Sequence, residues 1–487
     1  MKQEGTNQKT KSLTLFGFFA MTASMVMAVY EYPTFATSKL HLVFYLLLGG
    51  FLWFIPVALC AAEMATVDGW EKGGVFTWTG KNLGKKYGFA NLFFEFFEIT
   101  VGFVTMIYFI LGALSYVFNW PALNSNPVIK FIGVLVIFWV LALSQFGGTK
   151  YTAKIAKIGF VIGILLPAAI LIILSLIYII QGNPIYISSK DTFVPNFSNV
   201  NTLVVFVSFI LSYMGVEASA THANEMENPK RDYPLAMLLL VIVAIVVSTL
   251  GGLAIAAVIP QDQINLSAGV VQTFAVLLGH FTTHNTILVK IIAILLAFGV
   301  IAEVSSWVVG PTRGMIIAAE EGAIPKLWAK TNEHDVPVYL VIAQGILVTI
   351  WDAVLTFGAG GSNLSFLAAM SLTVVIYLTG YILFFVGYIK AILGKGLNGS
   401  YQMPGGKGVK LVVAIVGLAT SIFAFFISFV PPTSIASSMV QSHEYMWMLI
   451  ISYLVALVLP FAIYAFCQKY MHAHEGNVHH AVATHKH

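Results

Sequence analysis

Long apolar runs separated by short polar segments dominate the chain. Twelve of these runs reach about 20 residues, the length that an α-helix needs to cross a bilayer. They cover roughly residues 14–37, 41–64, 90–118, 128–146, 155–181, 203–224, 234–259, 287–318, 337–357, 365–390, 410–430 and 446–467. A further apolar segment, 267–280, is too short to span and predicts an interfacial helix. The pattern therefore predicts an all-α integral membrane protein with about 12 transmembrane helices.

The composition excludes a soluble globular protein. Charged residues make up 9% of the chain, hydrophobic residues 58%, and the mean hydropathy is +0.86, whereas soluble domains contain about 25% charged residues. Both cysteines, Cys60 and Cys467, lie in apolar runs, so we expect no disulfide framework. Lysines are spread over many short loops and form no basic stripe, which argues against a nucleic-acid partner. The lipid bilayer is the expected environment.

The distribution of Lys and Arg predicts the orientation of the spans. If the N-terminus is inside, 21 of these residues fall in inside segments and 4 on or near the other side. Cytoplasmic loops carry such an excess of positive residues. We therefore expect both termini to be cytoplasmic.

Two apolar spans carry polar interruptions at corresponding positions. The first contains Tyr30, Glu31 and Pro33 in the string AVYEYP, and the sixth contains Gly215 and Glu217 in MGVE. A carboxylate at membrane depth is costly and is a functional-site candidate by default. Paired interruptions point to a binding site at the midplane between inverted repeats, where half-helix N-termini would attract a substrate carboxylate. The competing interpretation is that Glu217 only caps a broken helix.

Two residue pairs with helical spacing add to this candidate site. Glu303 and Trp307 lie four residues apart on the eighth span, and Tyr377 and Tyr381 lie four apart on the tenth. Residues with this spacing share one helix face. A Trp ring beside a carboxylate suits a ligand with an ammonium group, through cation–π attraction. Simple ring packing is the alternative for Trp307.

Other polar residues in or near the spans receive weaker interpretations. Glu95 and Glu98 start near the cytoplasmic end of the third span, and we expect them to extend to the headgroups rather than into a site. His222, Asn224 and Glu225 follow Glu217 closely and are expected at the inner mouth, where solvation and gating are equally compatible with the sequence.

Five long strings resemble one transporter family. They are LTLFGFFAMTASMVMAVYEYPTFATS, FIPVALCAAEMATVDGWEKGGVFTW, ALSQFGGTKYTAKIAKIGF, FILSYMGVEASATHANEMENPKRDYPLAMLLL and PGGKGVKLVVAIVG. They are similar to the glutamate/GABA antiporter family of the amino acid–polyamine–organocation (APC) superfamily. The resemblance implies a LeuT-type 5+5 inverted repeat with broken helices 1 and 6, plus two extra C-terminal helices. Four segments follow, namely a cytoplasmic N-terminal segment 1–13, a ten-helix transport core 14–390, the last two helices with their preceding loop 391–468, and a cytoplasmic tail 469–487.

The resemblance also implies an activity. Family members import glutamate and export γ-aminobutyrate (GABA) across the bacterial cytoplasmic membrane, and a cytoplasmic glutamate decarboxylase links the two substrates and consumes a proton, which gives acid resistance. By this resemblance Tyr30, Glu303, Trp307, Tyr377 and Tyr381 border the transport path. No cofactor or metal is expected.

The sequence leaves other activities open. The aromatic residues alone also fit tyrosine/tyramine, histidine/histamine or agmatine/putrescine exchange. A channel or a transport-derived sensor is a further alternative. An enzyme is the least favoured class, because no nucleophile–base pairing or cofactor motif occurs at a plausible spacing.

The C-terminal tail after Lys469 is rich in histidine. Its string, YMHAHEGNVHHAVATHKH, contains half of the chain's 12 histidines, which are His472, His474, His479, His480, His485 and His487. Histidine changes its charge between about pH 5 and 8, so the tail could sense acid. Similar antiporters use a histidine-bearing tail to plug the cytoplasmic entrance at neutral pH, although this tail is shorter than theirs. Weak metal binding and an inert tail are the alternatives.

Overall fold

The computed structural model is almost entirely helical. It describes residues 13–70, 73–148, 152–188, 190–198, 203, 205–220, 222–359, 362–431 and 439–484. The main helices are α1 Leu15–Val26, α2 Tyr32–Ala36, α3 His41–Ala65, α4 Gly74–Leu83, α5 Lys85–Val117, α6 Pro127–Ser144, α7 Ile155–Ile180, α8 Phe206–Leu211, α9 Val216–Ala220, α10 Pro229–Val258, α11 Gly269–Phe281, α12 Asn285–Glu320, α13 Val338–Gly358, α14 Ser362–Leu393, α15 Lys407–Ile427 and α16 Met439–Thr484. A one-turn helix, Ala122–Ser125, precedes α6.

The predicted fold class is confirmed. Within the described residues, 10 helices are long and apolar enough to cross a membrane, namely α3, α5, α6, α7, α10, α12, α13, α14, α15 and α16. The first predicted span is a bent pair built from α1 and α2, which raises the number to 11. The sixth predicted span corresponds to the short helices α8 and α9, and the predicted interfacial segment is α11.

Helix α5 forms the centre of the bundle. Every residue from Phe96 to Ala113 is buried, and the helix packs mainly against α12 and α14. A helix that is apolar on all sides is stable only where other helices surround it or in lipid. Any ionisable side chain on this part of α5 therefore faces protein or a cavity.

Peripheral helices present one apolar face outward. On α6, Val128, Ile132, Val136 and Val140 follow one another at four-residue intervals and are between 53% and 61% exposed. Residues at this spacing line one face of a helix. Because this face is apolar and uncovered, it is a lipid-facing surface.

Helices α7 and α12 cross at a pair of glycines. A Cβ atom added to Gly163 would lie 2.4 Å from Gly299 Cα. Small residues at such a crossing allow two membrane helices to approach closely. Side chains on both helices next to this crossing can thus line a common cavity.

The start of α1 is tied to the segment that follows α9. Leu13 forms an isolated bridge with Met226. The Leu13 amide donates to the Glu225 carbonyl oxygen at 3.1 Å, and the Glu227 amide donates to the Leu13 carbonyl oxygen at 3.4 Å. Helix α1 therefore begins on the face of the protein where α9 ends.

Candidate functional site

The first span is broken where the sequence interrupts it. Helix α1 ends at Val26, the next two residues are extended, and a single 3-10 turn, Val29–Glu31, leads into α2. The two halves are bent by 45°. Pro33 lies in the first turn of α2, where a missing N–H group costs nothing. The break buries both Tyr30 and Glu31 inside the bundle.

The sixth span is broken at Gly215. Helix α8 ends at Leu211 and α9 begins at Val216. Gly215 has a φ of +92°, a conformation that glycine adopts at little steric cost. A Cβ at this position would lie 3.3 Å from Trp307 Cη2. The absence of a side chain thus allows both the turn and the close approach of Trp307.

Glu217, two residues beyond this turn, is held by two tyrosines of α14. Tyr377 donates to Glu217 Oε1, and Tyr381 donates to Oε2 with 2.5 Å between the oxygens. The Gly215 amide donates to the Tyr381 hydroxyl at 3.2 Å. The two tyrosine rings lie 4.7 Å apart, and Trp53 packs edge-on against Tyr381 at 4.6 Å between ring centroids. Helix α14 therefore fixes the break of the sixth span.

A small cavity of about 50 Å³ lies between the two breaks. Three buried or half-buried carboxylates line it, from Glu31, Glu98 and Glu303, together with Tyr30, Trp307 and Tyr377. Glu31 Oε2 is buried and has no hydrogen-bond partner in the described part of the protein. A buried carboxylate oxygen without a donor is unfavourable, so this atom is available to a ligand ammonium group or a proton.

A larger cavity of about 360 Å³ adjoins the small one. Glu95, Glu217 and His222 contribute ionisable groups to its wall. Glu303 and Trp307 line both cavities, so these two side chains stand at the boundary between them. His222 belongs to the segment after α9, which places this cavity toward the face where α1 begins.

The structure brings the residues predicted from the sequence to one place. Tyr30, Glu31, Glu217, Glu303, Trp307 and Tyr377 line the cavities, and Gly215 contacts Trp307 and Tyr381. Tyr381 is not among the lining residues and stands behind Glu217. Tyr30, Glu31, Glu217, Tyr377 and Tyr381 are all at least 94% buried.

The expectation that Glu95 and Glu98 extend to the headgroups was wrong. Glu98 is 3% exposed and lines the small cavity, and Glu95 lines the larger one. Since α5 is the central helix, no lipid face is available to these side chains. A signal was present in the sequence, because Glu95, Glu98, Gly102 and Thr105 follow a helical spacing and form one polar or small stripe on α5.

Carboxylates dominate the ionisable side chains of the described cavity walls. Among the described residues that line the two cavities, none is Lys or Arg. Carboxylates without a cation nearby attract an ammonium group and repel a ligand with net negative charge. The arrangement suits a small amine or an amino acid with little net charge.

The C-terminal tail is described only in part. The backbone of α16 continues through His472, His474, His479 and His480, but their side chains lie outside the described residues, as do His485 and His487 entirely. The side chain of Asn224 is likewise outside the described part. Glu225 pairs with His222, with 3.3 Å between Oε2 and Nδ1.

Comparison with known proteins identifies the family of the chain. A family model described as amino acid permease matches residues 13–457. The chain belongs to this amino acid permease family. Its members are transporters, so the protein is a transporter and not an enzyme.

Two relatives in Lactococcus lactis are each 62% identical over 95% of this chain and 92% of their own length. Both are named glutamate/gamma-aminobutyrate antiporter. An uncharacterized transporter of Legionella pneumophila is 31% identical over 88% of the chain and 92% of its own length. The similarity thus covers both helix breaks and both cavities.

Proposed function

We propose that the protein exchanges extracellular glutamate for intracellular GABA by alternating access. The names of the Lactococcus relatives support this substrate pair. The observation that carries the proposal is the small cavity between the two helix breaks, which three carboxylates line and no described basic side chain neutralises. Both substrates carry an ammonium group that can occupy such a cavity.

Each side chain of the cavity has a distinct part in this proposal. Glu31 and Glu303 receive the substrate ammonium group, and the Trp307 ring covers it through cation–π attraction. The half-helix ends at the breaks of the first and sixth spans attract the carboxylate. Because the cavity is already acidic, glutamate enters in a protonation state with little net negative charge.

The boundary between the two cavities acts as the inner gate of the proposed cycle. Glu303 and Trp307 separate the small cavity from the larger one. With the N-terminus inside, the larger cavity is the cytoplasmic vestibule, through which glutamate leaves and GABA enters. Displacement of Trp307 would join the two spaces.

The cellular role extends the proposal to acid resistance in the bacterial cytoplasmic membrane. A cytoplasmic decarboxylase would convert the imported glutamate to GABA and consume a proton. The histidines of residues 469–487 would gain charge as pH falls from about 8 to 5 and would release the cytoplasmic entrance.

The test is radiolabelled glutamate uptake into proteoliposomes at pH 5 and pH 7.5. Vesicles are loaded with GABA, with tyramine, histamine or putrescine, or with buffer alone. We expect uptake only with GABA inside and mainly at pH 5. Uptake into buffer-loaded vesicles would indicate a uniporter or channel, and uptake driven by another amine would assign a different substrate pair.

A further inference from the structure

A third cavity lies on the other side of the protein from the cytoplasmic vestibule. Its volume is about 290 Å³, and it is bounded by the start of α6, the end of α13 and the start of α14. Most of its lining side chains are polar, namely Ser125, Lys130, Thr356, Ser362 and Ser365. None of these residues belongs to the cavities proposed for glutamate and GABA.

Lys130 is the unusual member of this group. Its side chain is 2% exposed, and its Nζ has no hydrogen-bond acceptor in the described part of the chain. The ammonium lies over the Tyr108 ring, 4.0 Å from the centroid. An ammonium group has three N–H donors, and leaving buried donors unpaired is costly. An acceptor that enters the cavity would satisfy them.

The carboxylate of Asp352, on the neighbouring helix α13, does not accept a hydrogen bond from Lys130. Asp352 Oδ1 accepts from the Thr356 hydroxyl at 2.8 Å, and that hydroxyl lies 2.5 Å from the Tyr108 hydroxyl. Asp352 Oδ2 has no partner either, and within the described residues Lys130 forms no ion pair shorter than 4.0 Å. Asp352 therefore offsets part of the lysine charge from a distance but leaves the three donors unmet.

Two of the serine hydroxyls that line the cavity already donate hydrogen bonds within the protein. Ser125 already donates to the Pro121 carbonyl, and Ser362 donates to the Asn124 carbonyl. Ser365 lies in the first turn of α14, where the positive end of the helix dipole favours an anion. Lys130 and Ser365 are thus the two side chains that can donate to a ligand oxygen.

We propose that this cavity binds an oxyanion of the phosphate class, through Lys130 and Ser365. The cavity is several times larger than the roughly 30 Å³ that one water occupies, so it can hold a phosphate group. Its rim is apolar and faces lipid, because the lining residue Phe357 is 53% exposed and Val128, which follows the lining residue Pro127, is 54% exposed. This rim favours the headgroup of an anionic phospholipid, and free phosphate shares the same chemistry.

The experiment measures the melting temperature of the purified full-length protein in detergent. One arm titrates dioleoylphosphatidylglycerol, with dioleoylphosphatidylcholine as the uncharged-lipid control. A second arm titrates inorganic phosphate against chloride at equal ionic strength. Ligands that bind only the folded protein raise its melting temperature in a concentration-dependent way. The variants are Lys130→Met and Ser365→Ala, with the exposed Lys190→Met as the matched control.

We expect phosphatidylglycerol to stabilise the wild type and Lys190→Met more than phosphatidylcholine does. Loss of a hydrogen bond to a charged group should raise the half-saturating concentration roughly 10- to 100-fold in Lys130→Met. Ser365→Ala, which keeps the lysine, should show a smaller increase and guards against misfolding of Lys130→Met. A Lys130-dependent response to phosphate alone would assign the site to a soluble anion. Responses that are equal in all variants, or absent in both arms, would overturn the proposal and leave a water-filled cavity.

Discussion

Glu217 and Tyr381 join the break of the sixth span to α14, with 2.5 Å between Glu217 Oε2 and the tyrosine oxygen. The same tyrosine accepts the Gly215 amide hydrogen, so one hydroxyl contacts both the turn and the carboxylate that follows it. Tyr377 takes the second carboxylate oxygen. Any movement of α9 in a transport cycle must therefore break these bonds or carry α14 with it.

Replacement of Tyr381 by Phe should slow exchange. The change removes a donor from Glu217 and an acceptor from Gly215, and an unpaired buried polar group costs about 1–3 kcal/mol. We expect glutamate/GABA exchange in proteoliposomes to fall roughly fivefold or more. Tyr445→Phe is the matched control. The Tyr445 hydroxyl donates to the Ser371 hydroxyl at 3.0 Å, and neither residue lines one of the two cavities. Equal losses in the two variants would mean that Tyr381 acts only through stability.

Glu98→Gln should change the balance between the two substrates. Removing one negative charge from the small cavity weakens its attraction for a cationic ligand. GABA lacks the second carboxyl group of glutamate and therefore carries the more positive net charge of the two substrates. The KM for GABA should thus rise relative to the KM for glutamate. We expect a change of roughly tenfold, for charges a few ångströms apart in protein surroundings. The measurement is the KM for each substrate in counterflow at pH 5. The control is Glu444→Gln, at an exposed position of α16. An unchanged KM ratio in Glu98→Gln would mean that Glu98 has no part in substrate binding.

The sequence predicted the spans and the breaks because both depend on local composition. Apolar runs define the helices, and Gly215 and Pro33 mark positions where a helix stops or restarts. The spacing of Glu303 with Trp307, and of Tyr377 with Tyr381, indicated shared faces correctly. These features need no knowledge of the neighbouring helices.

The environment of each helix could not be predicted in this way. Glu98 lies near an end of its apolar run, and only the packing of α5 between α12 and α14 shows that it faces a cavity. Lys410 belongs to one of the strings that carry the family resemblance, but its partner Glu63 lies far away in the sequence. Contacts between distant segments depend on the order in which the helices pack, which no local pattern specifies.

The pair formed by Glu63 and Lys410 should be important for stability. Glu63 is fully buried, accepts from Lys410 and also accepts from the Tyr388 hydroxyl at 2.6 Å. The ion pair joins the end of α3 to α15, and the Tyr388 hydrogen bond joins it to α14. Removal of one partner leaves a buried charge uncompensated, at a cost of about 3–5 kcal/mol.

We therefore expect Lys410→Met to lower the melting temperature in detergent strongly. The control is Lys407→Met, one turn earlier on α15, whose exposed ammonium contacts only the Leu393 carbonyl among described partners and should matter little. The double variant Glu63→Gln with Lys410→Met should recover part of the loss. If the double variant is no more stable than Lys410→Met alone, the ion pair is not the cause.

A contact in the loop that follows α7 should respond to strong acid. The Ser188 amide and the Lys39 ammonium hold the pKa of Asp191 below its usual range, with 2.7 Å from the amide nitrogen to Oδ2 and 3.3 Å from Lys39 Nζ to Oδ1. A pKa that is lower in the folded protein than in the unfolded chain adds stability above the unfolded value of about 3.9. This contribution disappears as pH falls through the lowered folded value.

Hydrogen exchange of peptides from residues 181–198 should therefore increase between pH 5 and pH 3, after correction for intrinsic rates. Asp191→Asn removes the ionisable group and should give fast exchange at both pH values. Asp262→Asn, at an exposed position on another loop, should keep the wild-type difference. A pH response that survives in Asp191→Asn would assign it to other groups.

Three changes to the histidine tail should have different effects on the rate of exchange. If neutral histidines keep residues 469–487 at the cytoplasmic entrance, replacing all six with Gln should keep exchange low at both pH 5 and pH 7.5. Deletion of residues 470–487 should make exchange fast at both values. Replacement of the six histidines with Lys, which is charged throughout this range, should also give fast exchange at pH 7.5.

These outcomes separate a gate from the alternatives because Gln and Lys imitate the two charge states of histidine. A tail that binds metal would lose its effect in the Gln and Lys variants alike, and chelation with EDTA would reproduce that loss in the wild type. An inert tail would leave the ratio of the exchange rates at pH 5 and pH 7.5 unchanged in all three variants. In that case we assign the pH dependence of exchange to the carboxylates that line the cavities, and Gln replacements of these five residues become the next measurement, namely of Glu31, Glu95, Glu98, Glu217 and Glu303.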